Sequence, residues 1–359
     1  MRVLASSSKD NLIPKTPYMA IVGDSYAKGN GDWFLEVDKS ELPPPPYQAA
    51  HLLHEIFNVD VLPIGRAGGD FLRTYTSDLP NQIDYINSMW LYSMPEPDMI
   101  LFYYYAGNDF EDIIHRMGRN AYGSYDKDKL YDEKYFQGWI DKFSENDRTY
   151  FPLVNFTSVA YIGKVTADYL DKAKDSVVAN FGDTTAVPDK VDWSKVNVVE
   201  FNGHPTQVGK PMQNFSLGLT DEEFKFGFYM LDQSLAYVCK KYPHAKKALV
   251  YIPSMMDCYT FVSPLVMSEK TVTAAECREN ELYMEKEVGN IAEKHGLLYI
   301  DTSPGLRKEA KKGFLHGPID FAHLNKKGYH VFADIIAHKL LQAGWFTKMN
   351  KVSYLDENK

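Results

Sequence analysis

Five short apolar runs constrain this chain most, because none of them alternates polar with apolar residues. They are "YMAIVGD" (18–24), "VDVLPIG" (59–65), "PDMILFYYYAGND" (97–109), "KKALVYIPS" (246–254) and "GLLYIDTSP" (296–304). Runs this short, rich in β-branched and aromatic residues and closed by glycine or proline, read as strands rather than helices. A strand that is apolar at every position has no face for water, which is the mark of a parallel sheet covered by helices on both sides. Between the first two runs, "YQAAHLLHEIF" (47–57) reads as a helix turning Leu52, Leu53, Ile56 and Phe57 inward. The expectation is therefore one α/β domain spanning residues 1–359, a three-layer α/β/α sandwich with about five parallel strands.

The third and fourth runs are separated by about 140 residues, Phe110 to Lys247, far more than an ordinary crossover needs. The end of this segment, "LTDEEFKFGFYMLDQSLAYVCKKY", carries a capping box, Thr220 with Glu223, and places Phe224, Phe228, Leu231, Leu235 and Val238 at helical spacing. Residues 112–218 hold helical pieces and a strand at "VNVVEFNG", and read as an inserted lid or subdomain. The run Pro43 to Pro46 reads as a short polyproline spacer.

Composition removes several function classes. The net charge of −9 argues against a nucleic-acid partner, whose binding face would be basic. Three cysteines, Cys239, Cys258 and Cys277, form no CxxC pair and suggest neither a zinc site nor a disulfide framework. There is no HExxH, P-loop or dinucleotide fingerprint, so no metal or organic cofactor is implied. No apolar run approaches the ~18 residues of a transmembrane helix, and "MRVLASSSKDNLIPKTPY" is not a convincing signal peptide, so the compartment stays open. Aromatic residues at 14%, with 25 tyrosines, suit a carbohydrate-stacking surface and a tyrosine-rich core equally well. Oligomeric state has no signal.

Chemistry enters at the strand ends. "GDS" (23–25), "AGGD" (67–70) and "AGND" (106–109) follow the first three strands, and the carboxyl ends of parallel strands are where such sheets bind ligands. Near the C-terminus, "PIDFAHLNKKGYHVFADIIAHKLL" sets Asp320 three residues before His323, at the start of an amphipathic helix. A serine alcohol needs a base, and a histidine base needs an orienter for its other nitrogen. No G-x-S-x-G is present, so the α/β-hydrolase elbow is excluded. Asp24 and Asp109 read as braces for their loops.

Gly23-Asp24-Ser25, Gly69-Asp70, Gly107-Asn108-Asp109 and Asp320-x-x-His323, in that order, resemble the four signature blocks of the SGNH (GDSL-type) hydrolase superfamily. The matched strands and blocks cover a little over half the chain, and the insertion is unmatched. The resemblance implies a flavodoxin-like sheet, Ser25 as nucleophile, His323 as general base and Asp320 as its orienter. It also implies an oxyanion hole made of the backbone N–H groups of Ser25 and Gly69 and the side chain of Asn108, with Gly68 as the alternative backbone donor. "YIPSMMDCY" resembles a turn in longer members that accompany polysaccharide O-acetylation. That places Ser254 near the site, although Met255 and Met256 stand where those members often carry lysine. Trp33 and His316 are further candidates to line the substrate side, while Tyr103 to Tyr105 read as core. The implied function is hydrolysis or transfer of an acyl group on a small-molecule or glycan ester, in a soluble protein of open compartment, the resemblance leaning to the outside of the cytoplasm without excluding the inside. The alternative is a non-catalytic glycan-binding protein on the same fold.

Overall fold

The strands in chain order are β1 (Tyr18–Gly23), β2 (Asp60–Gly65), β3 (Met99–Tyr105), a hairpin β4–β5 (Asn197–Phe201 and His204–Val208), β6 (Lys246–Ile252), a second hairpin β7–β8 (Leu265–Met267 and Thr271–Thr273) and β9 (Leu298–Asp301). These coordinates are a computed structural model that describes residues 13–33, 36, 46–88, 93–155, 197–208, 212, 214–263, 265–267, 271–351 and 354–357. All five apolar runs of the sequence pair into one parallel sheet, in the order β2-β1-β3-β6-β9. Proteins with this order reverse their winding direction between the first and third strands, and the crevice at that switch point is where ligands bind.

Helices take up both faces, which explains the missing alternation. The labelled helices are α1 (Ser25–Lys28), α2 (Ala49–Phe57), α3 (Phe71–Arg73 and Leu79–Ser88, joined by a π-helical turn at Thr74–Asp78), α4 (Asp109–Gly118), α5 (Glu133–Asn155), α6 (Asp221–Lys241), α7 (Met255–Cys258), α8 (Ala274–Lys294), α9 (Ser303–Ala310) and α10 (Lys326–Gln342). One set of strand positions, Met19, Ile21, Leu101, Tyr103 and Val250, packs beneath α2 and α10. The alternate set, Ala20, Val22, Phe102, Tyr104 and Tyr251, packs beneath α3, α4, α6 and α8. Period-two geometry thus serves two apolar faces at once.

The long segment between β3 and β6 contributes directly to the second of these cores. α5 buries Phe136, Trp139, Ile140 and Phe143 there. α6 begins at the predicted capping box, with the Glu223 N–H donating to Thr220 Oγ1 and the Thr220 N–H to Glu223 Oε2. The predicted strand at "VNVVEFNG" forms the first half of the β4–β5 hairpin, which bonds to the loop after α7 through the Glu200 N–H and the Thr260 carbonyl. The remainder of the 112–218 insertion at 156–196, and Pro43 to Pro45 of the proline run, lie outside the described residues.

Candidate active site

The serine is presented by close packing at the end of β1. A Cβ on Gly23 would lie 2.9 Å from the Tyr103 Cβ, and one on Gly65 only 1.9 Å from the Lys28 nitrogen. Glycine at both places lets β1 approach β3 and lets α1 sit directly on the end of β2. Asp24 caps α1, accepting the Tyr26 N–H on Oδ1 at 2.9 Å. Ser25 is therefore the first residue of a one-turn helix, where the backbone N–H has no intrahelical acceptor.

Its hydroxyl meets a residue from the far end of the chain. Ser25 Oγ lies 2.8 Å from His323 Nε2, and His323 Nδ1 lies 2.6 Å from Asp320 Oδ2. These partners assign the tautomer: Nδ1–H donates to the carboxylate, and Nε2 accepts from the serine. Burial pulls the Asp320 carboxyl upward, but the hydrogen bond and charge of His323 and the backbone N–H groups of Ala322 and His323 outweigh it, and its pKa lies below the ordinary value. Asp320 is thus held as a carboxylate. Ser25 also lies 3.2 Å from Asp24 Oδ2, a longer contact than the one to histidine.

The backbone and side-chain donors come from two neighbouring loops. Gly69 is not the glycine that faces the site: its N–H donates to the Arg66 carbonyl at 2.8 Å, closing a tight turn that spends it. Gly68, at φ 60, lines the cavity instead. Asn108 ends the loop after β3 and begins α4 without using its side chain as a cap. Its Nδ2 donates one hydrogen to Asp112 Oδ2 at 3.0 Å and has a second to give.

Asn108, Asp112 and Arg116 stand four residues apart on one face of α4. Arg116 Nη2 donates to the Gly68 carbonyl, and its Nε lies 3.2 Å from Asp70 Oδ2. The fully buried Asp70 also accepts from the Arg73 N–H and the Tyr122 hydroxyl. One helix face therefore ties the Gly68 loop to the Asn108 side chain. Burial, followed by the charge of Glu111, pushes the Asp112 carboxyl up to about 7 against the pull of Arg116. Asp109 accepts the Tyr105 N–H at 2.8 Å, so both it and Asp24 brace their loops. Burial, and then the charge of Asp24, raises the Asp109 carboxyl well above its usual range.

These groups open on a cavity of about 580 Å³. Ser25, Asn108 and His323 give it a polar floor, and Phe215, Met255, Ile319 and Phe321 give it apolar walls. Three sequence candidates are placed elsewhere. Ser254 is fully buried, donating to Asp257 Oδ2 at 2.5 Å and accepting from Asn214 Nδ2 at 3.0 Å; the next residue, Met255, is the one that lines the cavity. His316 is buried with Nδ1 2.9 Å from the Tyr259 hydroxyl, and burial followed by the charge of His323 depresses its pKa to about 3. Trp33 is half-buried against the core and is not among the cavity walls. Tyr103 and Tyr104 are core, and Tyr105, also buried, reaches the cavity.

All three cysteines are free thiols. Among the described residues, no group of three or more His, Cys, Asp or Glu side chains is arranged to hold a metal ion. No helix among them is long and apolar enough to cross a membrane.

The sequence matches no protein-family model and no curated protein. Several solved enzymes match at low identity and with TM-scores below 0.5. The chain is 13% identical to an extracellular lipase from Streptomyces rimosus, with a TM-score of 0.44, over 90% of this chain and 100% of that one. A phospholipase A1 from Streptomyces albidoflavus NA297 gives 13% identity and a TM-score of 0.40, over 90% and 98%. A catalytic mutant of an acetylxylan esterase from Geobacillus stearothermophilus gives 12% and 0.40, over 91% and 95%. At such identities function has to be argued from the site itself.

Proposed function

We propose that this protein is a serine esterase or acyltransferase of SGNH type, acting on a small O-acyl ester through an acyl-serine intermediate. The observation that carries the reading is the chain of contacts from Ser25 Oγ to His323 Nε2 and from His323 Nδ1 to Asp320, opening on a walled cavity. Ser25 Oγ attacks the ester carbonyl carbon while His323 Nε2 takes its proton, and Asp320 stabilises the resulting imidazolium. The tetrahedral oxyanion is met by the N–H groups of Ser25 and Gly68 and by the free hydrogen of Asn108 Nδ2. Collapse breaks the ester C–O bond, and His323 returns the proton to the leaving alkoxide. A water or a sugar hydroxyl then attacks the acyl-serine, losing its proton to His323, and collapse breaks the acyl C–Oγ bond as His323 returns that proton to Ser25 Oγ.

The apolar walls suit an acyl group, and ester substrates fit better than amides because an alkoxide leaves with less acid assistance than an amine. Acetylated carbohydrates are the first class to screen. The test is hydrolysis of short-chain aryl esters, with and without free or acetylated oligosaccharides, alongside fluorophosphonate labelling of wild type and Ser25→Ala. Wild type should label and turn over, and Ser25→Ala should do neither. A wild-type serine that never labels would favour a non-catalytic glycan-binding role instead.

A further inference from the structure

The half of the serine loop after α1, "GNGDW", plays no part in the chemistry just described, yet it reaches the histidine turn. Asp32 is almost fully buried, and its Oδ1 accepts the backbone N–H of Asp320 at 2.7 Å across a sequence separation of 288. We propose that Asp32 is a positioning residue that holds the Asp320–His323 turn against the Ser25 loop, and with it the serine–histidine contact. This rests on the esterase reading only for its kinetic consequence.

The case is geometric. Ser25 and His323 belong to loops with no covalent connection near the site, so non-covalent contacts alone set their separation. Tyr26 Oη donates to the Ala322 carbonyl at 3.0 Å, and Tyr329 Oη donates to the Asn30 carbonyl at 2.5 Å. Gly31, at φ 144, presses on the turn so closely that a Cβ there would lie 2.5 Å from the Leu324 carbonyl oxygen. Asp32 alone among these acts on Asp320. Asp320 is then fixed at four points: its N–H by Asp32, its carbonyl by the Gly317 N–H, Oδ1 by the Ala322 N–H and Oδ2 by His323.

The placement also runs against electrostatics, as expected of a group kept for its geometry. Burial is the main cause that raises the Asp32 pKa, and the charges of Asp320 and Glu36 add to it, while the Asp320 and Ile319 N–H groups oppose them. A second carboxylate beside the orienter would be disfavoured without those two donors.

Asp32→Ala and Asp32→Asn test this. Misplacing a catalytic group by ~1 Å costs about 10²-fold, so Asp32→Ala should lose about 10- to 100-fold in kcat per fluorophosphonate-titrated site, with KM little changed. Asp32→Asn keeps an acceptor oxygen and should stay within several-fold of wild type. A merely structural role would lower Tm and the number of titratable sites and leave kcat per site unchanged. A second readout does not depend on activity: the downfield Nδ1–H proton resonance of His323, assigned by its loss in His323→Gln. It should be present in wild type, Ser25→Ala and Asp32→Asn, and lost in Asp32→Ala. Should Asp32→Ala fail to fold, Gly31→Ala displaces the same junction and should show the same two losses. Folded Asp32→Ala or Gly31→Ala with kcat and the resonance intact overturns the proposal and leaves the esterase reading standing. An inactive wild type whose resonance responds as stated does the reverse.

Discussion

Asn108→Ala is the sharpest probe of the oxyanion assignment. The side chain caps no helix hydrogen bond, so removing it does not incur the ~1 kcal/mol of a lost N-cap. What it does remove is the second Nδ2 hydrogen, the one not already given to Asp112. Loss of one oxyanion donor costs about 10²–10³ in kcat, roughly 2.7–4 kcal/mol of transition-state stabilisation. The donor matters little to the neutral ground-state ester, so KM should move by no more than a few-fold. The lost bond to Asp112 is cushioned, because that carboxyl, already pushed up to about 7, can take up a proton when its donor leaves. Tm should accordingly drop by only a few degrees. Aryl-acetate hydrolysis normalised to fluorophosphonate-titrated sites measures the effect without contamination from unfolded protein. A kcat per site within tenfold of wild type would refute the assignment of Asn108 as an oxyanion donor.

Two further outcomes follow from the polar cluster behind the cavity wall. Ser254→Ala should leave kcat per titrated site unchanged while lowering Tm, since it strips a donor from buried Asp257, a loss worth about 1–3 kcal/mol; reduced kcat at unchanged Tm would contradict this. The Asp257 carboxyl is pushed up to about 7 by burial, against the Ser254 hydrogen bond and the charges of Arg307 and Arg278. Between about pH 4 and 7 the folded chain holds a proton there that the unfolded chain has released, so this group's contribution to stability falls as pH rises through that window. Asp257→Asn should thus gain in Tm relative to wild type on going from pH 5 to pH 8, and a gap that stays constant would be the refuting result.

The sheet, and the meeting of Ser25 with the Asp320–His323 turn, were legible in the sequence because their parts are written locally. Strands buried on two faces leave unalternating apolar runs, and "GDS" and Asp320-x-x-His323 each sit within one turn of chain. The choice between Gly68 and Gly69 was not legible, since it depends on which N–H the Arg66 turn consumes. Ser254 lay where expected along the chain, at the end of β6, but its side chain points to Asp257 rather than to the cavity. Asp112 and Arg116 did leave a signal, the four-residue spacing from Asn108, although it gains meaning only once Gly68 is seen beside α4. Asp32 left none, because its partner is a backbone N–H at a separation of 288.

The contact between Ser25 and His323 spans 298 residues, and a ribosome adds about 5–20 residues per second, so Ser25 waits on the order of 15–60 s for His323. By then β9, which completes the sheet, has already been synthesised. The stretch that delivers His323 continues into α10, whose Tyr329, Phe332 and Ile336 fill the core on the α2 face. The Ser25 hydroxyl thus stays without its histidine partner for most of the chain's synthesis, and the segment that brings that partner is also the one that seals the core.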